Sequence, residues 1–289
     1  MKKQWHVNKF ETIALISKAI EEDIGPGDIT SNLTIEEKTI WSGSFILKQN
    51  GIIAGLEILK EVFNQIDPLL IITCHAKDSN YYKKGKKIAH VKGRARSMLA
   101  GERTALNFLQ RMSGIASLTY EFVQAVKGTK AVILDTRKTL PGLRILDKWA
   151  VKIGGGTNHR FGLFDCILIK ENHIMASGGV KNALENCLRF KKPDLKIIVE
   201  VQNLTQLKEV MKIGCDRVLL DNMKLSEIKK AVKLVNRKIS SEVSGNITLA
   251  NVKKYAETGV DYISVGMLTH SAKALDISFI LDNKFKERS

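Results

Sequence analysis

From residue 131 onward the chain repeats one pattern: a short apolar run rich in β-branched residues, a polar ending, then a helical stretch of Lys, Glu and Leu. The runs lie at 131–136, 165–170, 196–201, 216–221, 239–244 and 261–266. Strands separated by helical segments of this length do not pair as hairpins. They lie parallel in a helix-covered sheet, closed as a barrel or doubly wound. A chain of 289 residues has room for this unit and a smaller domain before it.

The first 127 residues lack that rhythm. They predict helices over 10–23 and 55–66, a strand pair over 41–55 turning at Asn50-Gly51, strands near 69–75 and 87–94, and a long helix over 97–127. Strands broken irregularly by helices indicate an α+β domain. The tail ALDISFIL at 274–281 reads as one more strand with no helix after it, free to return to the first domain.

The ends of the six runs carry the chemistry. In an α/β barrel, reactive groups sit where strands finish, while strand interiors fill with Val, Ile and Leu. Here AVIL ends in Asp135-Thr136-Arg137-Lys138, CILI in Lys170-Glu171-Asn172-His173, IIV in Glu200, VLL in Asp221-Asn222, SSEV in Ser244-Gly245-Asn246 and YISV in Gly266. A single polar strand end is an ordinary solvated terminus. Six on one rim make a site. Arg137, Lys138, Lys170 and Arg160 in the preceding loop require a ligand with several negative charges, because uncompensated cations repel one another. Glu200 and Asp221 offer hard oxygen ligands suited to Mg²⁺ shared with substrate phosphates, or else pair with Lys138 and Lys170. Ser244-Gly245-Asn246 and Ser264-Val265-Gly266 close the last two strands, where barrels cradle phosphate with backbone N–H groups.

Two further segments stand out. GGGTNHRFGLFD at 154–165 is not a dinucleotide fingerprint, and its glycines are expected to let His159 and Arg160 turn inward. In SMLAGERTALNFLQRMSG at 97–114, Glu102 and Arg103 fall on the face of a stripe formed by Leu99, Leu106, Leu109 and Ser113. Either they form a buried ion pair, or this face meets a site on its own barrel or a partner subunit.

Composition excludes other classes. The net charge of +16 attracts polyanions, but the excess is scattered surface lysine without any nucleic-acid-binding motif, so no nucleic-acid partner is expected. No run approaches the ~18 apolar residues of a membrane span. The start MKKQWHVNKFETIAL has no signal-peptide apolar core, and Cys74, Cys166, Cys187 and Cys215 form no CxxC pair. Reduced thiols and a cytoplasmic location are the expectation.

Together GERTALNFLQRMSGIA, LDTRKTLPGLR, GGGTNHRFGLFD, IKENHI, VEV, LLDN, VSGN and SVGMLTHS, with EEDIGPGDITS at 21–31, resemble the quinolinate phosphoribosyltransferase family over residues 20–280. The resemblance implies an α/β fold with an N-terminal α+β sandwich domain, residues 1–112 joined by 272–289, and an open, incomplete TIM-like α/β barrel over 113–271. It implies conversion of quinolinate and phosphoribosyl pyrophosphate, with Mg²⁺, to nicotinate mononucleotide, CO₂ and pyrophosphate in NAD biosynthesis. By the same resemblance Arg137, Arg160, Lys170, His159 and Thr136 bind quinolinate, with Arg103 supplied in trans by the neighbour in a homodimer or larger assembly. Lys138, Glu200 and Asp221 meet phosphoribosyl pyrophosphate and its metal, and Ser244, Gly245, Asn246, Ser264, Val265 and Gly266 form the 5-phosphate loops. The alternatives are a related barrel protein acting on nicotinate or in molybdenum uptake, and a Schiff-base aldolase using Lys170.

Overall fold

The computed structural model describes residues 8–282; the leader reading at residues 1–7 and the tail beyond 282 lie outside the described residues. In chain order the elements begin α1 (Lys9–Ile24), α2 (Ile29–Thr34), β1 (Ile40–Leu47), β2 (Gly51–Ile52), α3 (Leu56–Ile66), β3 (Ile71–Cys74), β4 (Tyr81–Tyr82), β5 (Lys87–Arg94) and α4 (Ala95–Ala125). The βα succession follows as β6 (Val132–Leu134), α5 (Arg144–Ile153), β7 (Ile167–Ile169), α6 (Glu171–Ala176), α7 (Val180–Phe190), β8 (Ile197–Val201), α8 (Leu204–Ile213), β9 (Arg217–Asp221), α9 (Leu225–Val235), β10 (Ser240–Ser244), α10 (Val252–Ala256), β11 (Tyr262–Ser264) and α11 (Met267–His270). β12 (Ile277–Leu281) ends the described chain. Contacts divide the chain into one unit of residues up to 118, 141–155 and from 272 onward, and a second of 119–140 and 156–271. This division differs from a cut at 112/113 in carrying the first unit on to 118 and in giving it 141–155. The reason is visible in the side chains: Arg111 on α4 makes a two-pronged ion pair with buried Asp147 on α5, at 2.9 and 2.7 Å.

The first unit is built on an antiparallel sheet ordered β12-β1-β5-β3, so the 274–281 strand lies beside β1. The expected hairpin at Asn50-Gly51 does not form. Both edges of β1 are taken by β12 and β5, strands distant in sequence, and β2 pairs with β4 instead. Alternation along β1 sends Phe45 and Leu47 inward, where Phe45 meets Phe63 edge-on at 6.0 Å and Phe279 at 4.8 Å between ring centres. The buried stripe of α3, Leu56, Ile58, Leu59, Val62 and Phe63, supplies the facing layer. Asp78 caps that helix by accepting from the Gly55 and Leu56 N–H groups.

The long α4 buries Met98, Ala105, Leu109, Met112 and Ala116 fully or nearly so, whereas Leu99 is half-buried and Arg103 is exposed. The Glu102–Arg103 pair therefore lies beside the buried stripe, not on it, and a buried ion pair is ruled out. The helix also approaches the segment before β12 so closely that a Cβ on Gly114 would stand 2.1 Å from the Lys273 carbonyl oxygen.

The second unit holds six parallel strands in the order β6-β11-β10-β9-β8-β7. Each of the six apolar runs contributes one strand. β6 and β7 are the edges, so the barrel is open. Its interior includes Leu168, Ile198 and Leu219, packed with Cys166.

Candidate active site

The carboxyl ends of the six strands surround one cavity of about 740 Å³. Thr136, Arg137 and Lys138 follow β6, Lys170 follows β7, Glu200 and Asp221 belong to β8 and β9, and Ser244, Gly245, Asn246, Ser264 and Gly266 come from β10, β11 and the loops after them. His159 and Arg160 enter from the loop before β7. The structure thus brings together all but two of the site residues expected from sequence. Val265 is fully buried, and its N–H donates to the Leu134 carbonyl at 2.9 Å. Its N–H is thus committed to β6 and its side chain packs in the barrel wall, so Val265 offers a phosphate neither. Arg103 belongs to the first unit and is not among the residues lining this cavity. Sequence reading gave Asn222 a place at a strand end but no role, and it missed Glu242, Thr248 and His270, and the apolar surface given by Leu168, Leu219, Ile247 and Met267.

The inward turn of the 157–160 loop is imposed by an aspartate. Fully buried Asp135, just past β6, accepts from the His159 N–H at 2.9 Å and from Asn158 Nδ2 at 2.5 Å, while the Thr157 N–H donates to the Ile133 carbonyl. Of the three glycines expected to provide flexibility, Gly155 alone takes a left-handed φ, +91°, and Gly154 ends α5. Asp135→Ala would leave the two donors without that acceptor. It is expected to cost roughly 1–3 kcal/mol of stability and to weaken substrate binding together, read by urea unfolding and calorimetry on one sample.

Arg160 presents a cation that lacks compensation. Burial, and then the neighbouring Arg137, push its guanidinium below the ordinary arginine range. Its Nη1 donates to the Cys166 carbonyl at 3.2 Å, and its buried Nε has no hydrogen-bond partner. A buried donor and two adjacent cations are what an anionic ligand relieves.

Lys170 Nζ lies 3.4 Å from Glu200 Oε2, and Asp221 accepts from Asn222 Nδ2 at 2.7 Å. Among the described residues no group of three His, Cys, Asp or Glu side chains could cage a metal. Two carboxylates on adjacent strands fit Mg²⁺, which keeps waters and shares itself with substrate phosphates.

The turns after β9 and β10 share an unusual backbone. Asn222, Gly245 and Asn246 all take left-handed φ values, +52°, +101° and +51°. Asn222 donates its N–H to the Ser244 carbonyl, and Asn246 Nδ2 reaches Asn222 Oδ1 at 3.4 Å. A Cβ on Gly245 would stand 2.1 Å from Asn222 Oδ1, so only glycine fits there.

Beneath the rim lies Glu242, whose side chain is fully buried. Burial would raise its pKa, but bonds from His159, Ser264 and Arg217 hold the carboxyl below the usual carboxylate range. Arg217 Nη1 is 2.8 Å from it and stacks on the Tyr262 ring at 3.7 Å.

Comparison with known proteins gives a consistent result. Residues 28–113 match the family described as quinolinate phosphoribosyl transferase, N-terminal domain, and residues 115–280 match its C-terminal domain. A probable nicotinate-nucleotide pyrophosphorylase [carboxylating] of Bacillus subtilis is 42% identical over 272 residues, 94% of either chain. A chloroplastic protein of that name from rice is 43% identical over 294 residues, 95% of this chain and 79% of the relative. In solved structures, the nicotinate-nucleotide pyrophosphorylase of Francisella tularensis superposes with a TM-score of 0.90 at 38% identity, covering 96% of this chain and 98% of the other.

Proposed function

This chain belongs to the quinolinate phosphoribosyltransferase family, and we propose that its barrel rim joins quinolinate to the ribose of phosphoribosyl pyrophosphate and releases CO₂ and pyrophosphate. Nicotinate mononucleotide is the product, which places the protein in NAD biosynthesis. One observation carries this reading: a single cavity presents Arg137, Lys138, Arg160 and Lys170 beside Glu200, Asp221 and a left-handed Gly/Asn loop.

Each part meets one substrate. Quinolinate is a flat pyridine with adjacent carboxylates, so Arg137, Arg160 and Lys170 hold its charges, aided by His159 and Thr136, while Leu168 and Leu219 offer apolar surface to the ring. Backbone N–H groups of Ser244, Gly245, Asn246 and Gly266 receive the 5-phosphate, with the Ser244 and Ser264 hydroxyls beside them. Lys138 faces the pyrophosphate. Glu200 and Asp221 would hold Mg²⁺, which when bound neutralises charge on the leaving pyrophosphate.

The ring nitrogen attacks ribose C1 as the C1–O bond breaks, and the electron pair departs with pyrophosphate. Fixed cations that stabilise this charge without reorganising supply most of the catalysis. The nitrogen is then cationic. The bond from C2 to its carboxylate breaks, CO₂ leaves, and the electron pair remains on C2 beside the positive nitrogen until a proton is taken up. Arg137 and Arg160 must hold the departing carboxylate without overstabilising it, as a crowded, water-poor site allows.

The finer assembly belongs to the same proposal: a homodimer or larger homo-oligomer in the cytoplasm, with Arg103 delivered to the partner's rim. Among the described residues no helix is long and apolar enough to cross a membrane, and all four cysteines are free thiols.

A coupled assay for nicotinate mononucleotide from quinolinate and phosphoribosyl pyrophosphate tests the reading. Turnover of nicotinate in its place would give the alternative, and turnover of neither would overturn both. In the same assay Glu200→Ala and Asp221→Ala are expected to shift the magnesium requirement upward and leave quinolinate binding largely intact. A magnesium titration unchanged in both variants returns these carboxylates to simple ion pairs.

A further inference from the structure

The histidine in the quinolinate-binding loop has both ring nitrogens occupied by the protein itself. His159 Nδ1 accepts from the Arg160 backbone N–H at 2.7 Å. Its Nε2 lies 3.4 Å from Glu242 Oε1, and its side chain is 8% exposed. An Nδ1 that accepts cannot carry the proton, so the proton sits on Nε2 and points at Glu242. The ring is therefore neutral, and it offers a ligand its face and carbon edge.

Glu242 fixes that state. Its two oxygens take three donors: His159 Nε2–H, the Ser264 hydroxyl and Arg217 Nη1 at 2.8 Å. Stacking on Tyr262 also restrains Arg217, so this corner of the carboxylate is held in place. We propose that Glu242 is a positioning residue for quinolinate binding, which through Nε2 locks His159 in one tautomer and thereby fixes Arg160, whose backbone N–H rests on Nδ1. The inference rests on the substrate reading above.

The substitution Glu242→Gln separates this role from simple packing. Glutamine has one acceptor oxygen, and the guanidinium of Arg217 is the strongest claimant on it. The amide NH₂ then faces His159 and Ser264. A serine hydroxyl can turn and accept. The imidazole cannot do so without moving its proton to Nδ1, against the Arg160 N–H. The larger disturbance falls on the quinolinate side of the cavity, since on the phosphate side Ser264 adjusts by turning its hydroxyl.

Nitrogen-15 NMR of the histidine rings in the unliganded protein reads the tautomer directly, with the His159 signal assigned by its loss in His159→Asn. The wild-type ring is expected as neutral Nε2–H, and Glu242→Gln should populate Nδ1–H. In steady-state kinetics that variant should raise the KM for quinolinate roughly 10- to 100-fold, the scale of lost supporting-shell contacts, and the KM for phosphoribosyl pyrophosphate by much less. An Nδ1–H or doubly protonated ring in the wild type overturns the proposal, even if the variant does not fold. So does an unchanged tautomer in a folded variant, or an equal rise of both KM values. Absence of quinolinate turnover by the wild type would instead overturn the substrate reading, and the tautomer measurement would stand apart from it.

Discussion

Arg160→Ala is expected to bind quinolinate about ten- to a hundredfold more weakly while keeping its fold. The guanidinium spends Nη1 on the Cys166 carbonyl, which leaves the rest of its charge at the cavity wall for a carboxylate. A charge-assisted pair there contributes roughly 1.5–3 kcal/mol, and each 1.4 kcal/mol is about tenfold in affinity. Loss of this arginine costs the fold little, because the hydrogen bond its side chain makes among the described residues is the single one to the Cys166 carbonyl. Arg137→Ala should weaken quinolinate in the same direction. Titration calorimetry with quinolinate alone measures the effect before any chemistry, and a thermal melt on the same sample guards against misfolding. Unchanged affinity in both variants would remove these residues from the quinolinate subsite.

The rim was legible in the sequence because parallel strands buried on both faces read as apolar runs, and where each run stops the chemistry begins. Position along a strand is a local property. Partner choice is not, and there the reading failed. Asn50-Gly51 carries the local chemistry of a hairpin, but β1 is claimed on one edge by β5 and on the other by β12 near the far end of the chain. Ser264, Val265 and Gly266 read as one phosphate loop, whereas the Val265 N–H is taken by the Leu134 carbonyl on the neighbouring strand, a pairing the local sequence does not reveal.

Glu242 was passed over for a related reason. In the run SSEV it looks like one polar residue inside a strand. Its meaning depends on the register that sets β10 beside β9 and β11, and on a histidine loop more than eighty residues earlier. A charged residue at an inward strand position was the available signal, since such a group survives burial only with partners. Arg217 at the start of β9 was its unrecognised complement. The glycine run misled in the other direction, since a buried acceptor, Asp135, sets the course of the loop.

Mixing two inactive proteins, Arg103→Ala and Lys138→Ala, is expected to restore activity once subunits exchange. Arg103 is exposed on α4 in the first unit, while Lys138 lines the rim of the second. Under the proposed function Arg103 would reach a substrate carboxylate on another copy of the chain. A two-fold interface would make that contact reciprocal, each subunit completing its partner's site. In a mixed dimer one site carries both substitutions and the other carries neither. The ceiling is therefore about half of the wild-type rate per dimer, and about a quarter for a statistical mixture in which half the dimers are mixed. A contribution in cis predicts no recovery, because every site would then retain one defect. Native mass measurement of the mixture reports the fraction of mixed dimers independently of activity, so exchange without recovery would exclude the shared site, and recovery in proportion to that fraction would place Arg103 across the interface.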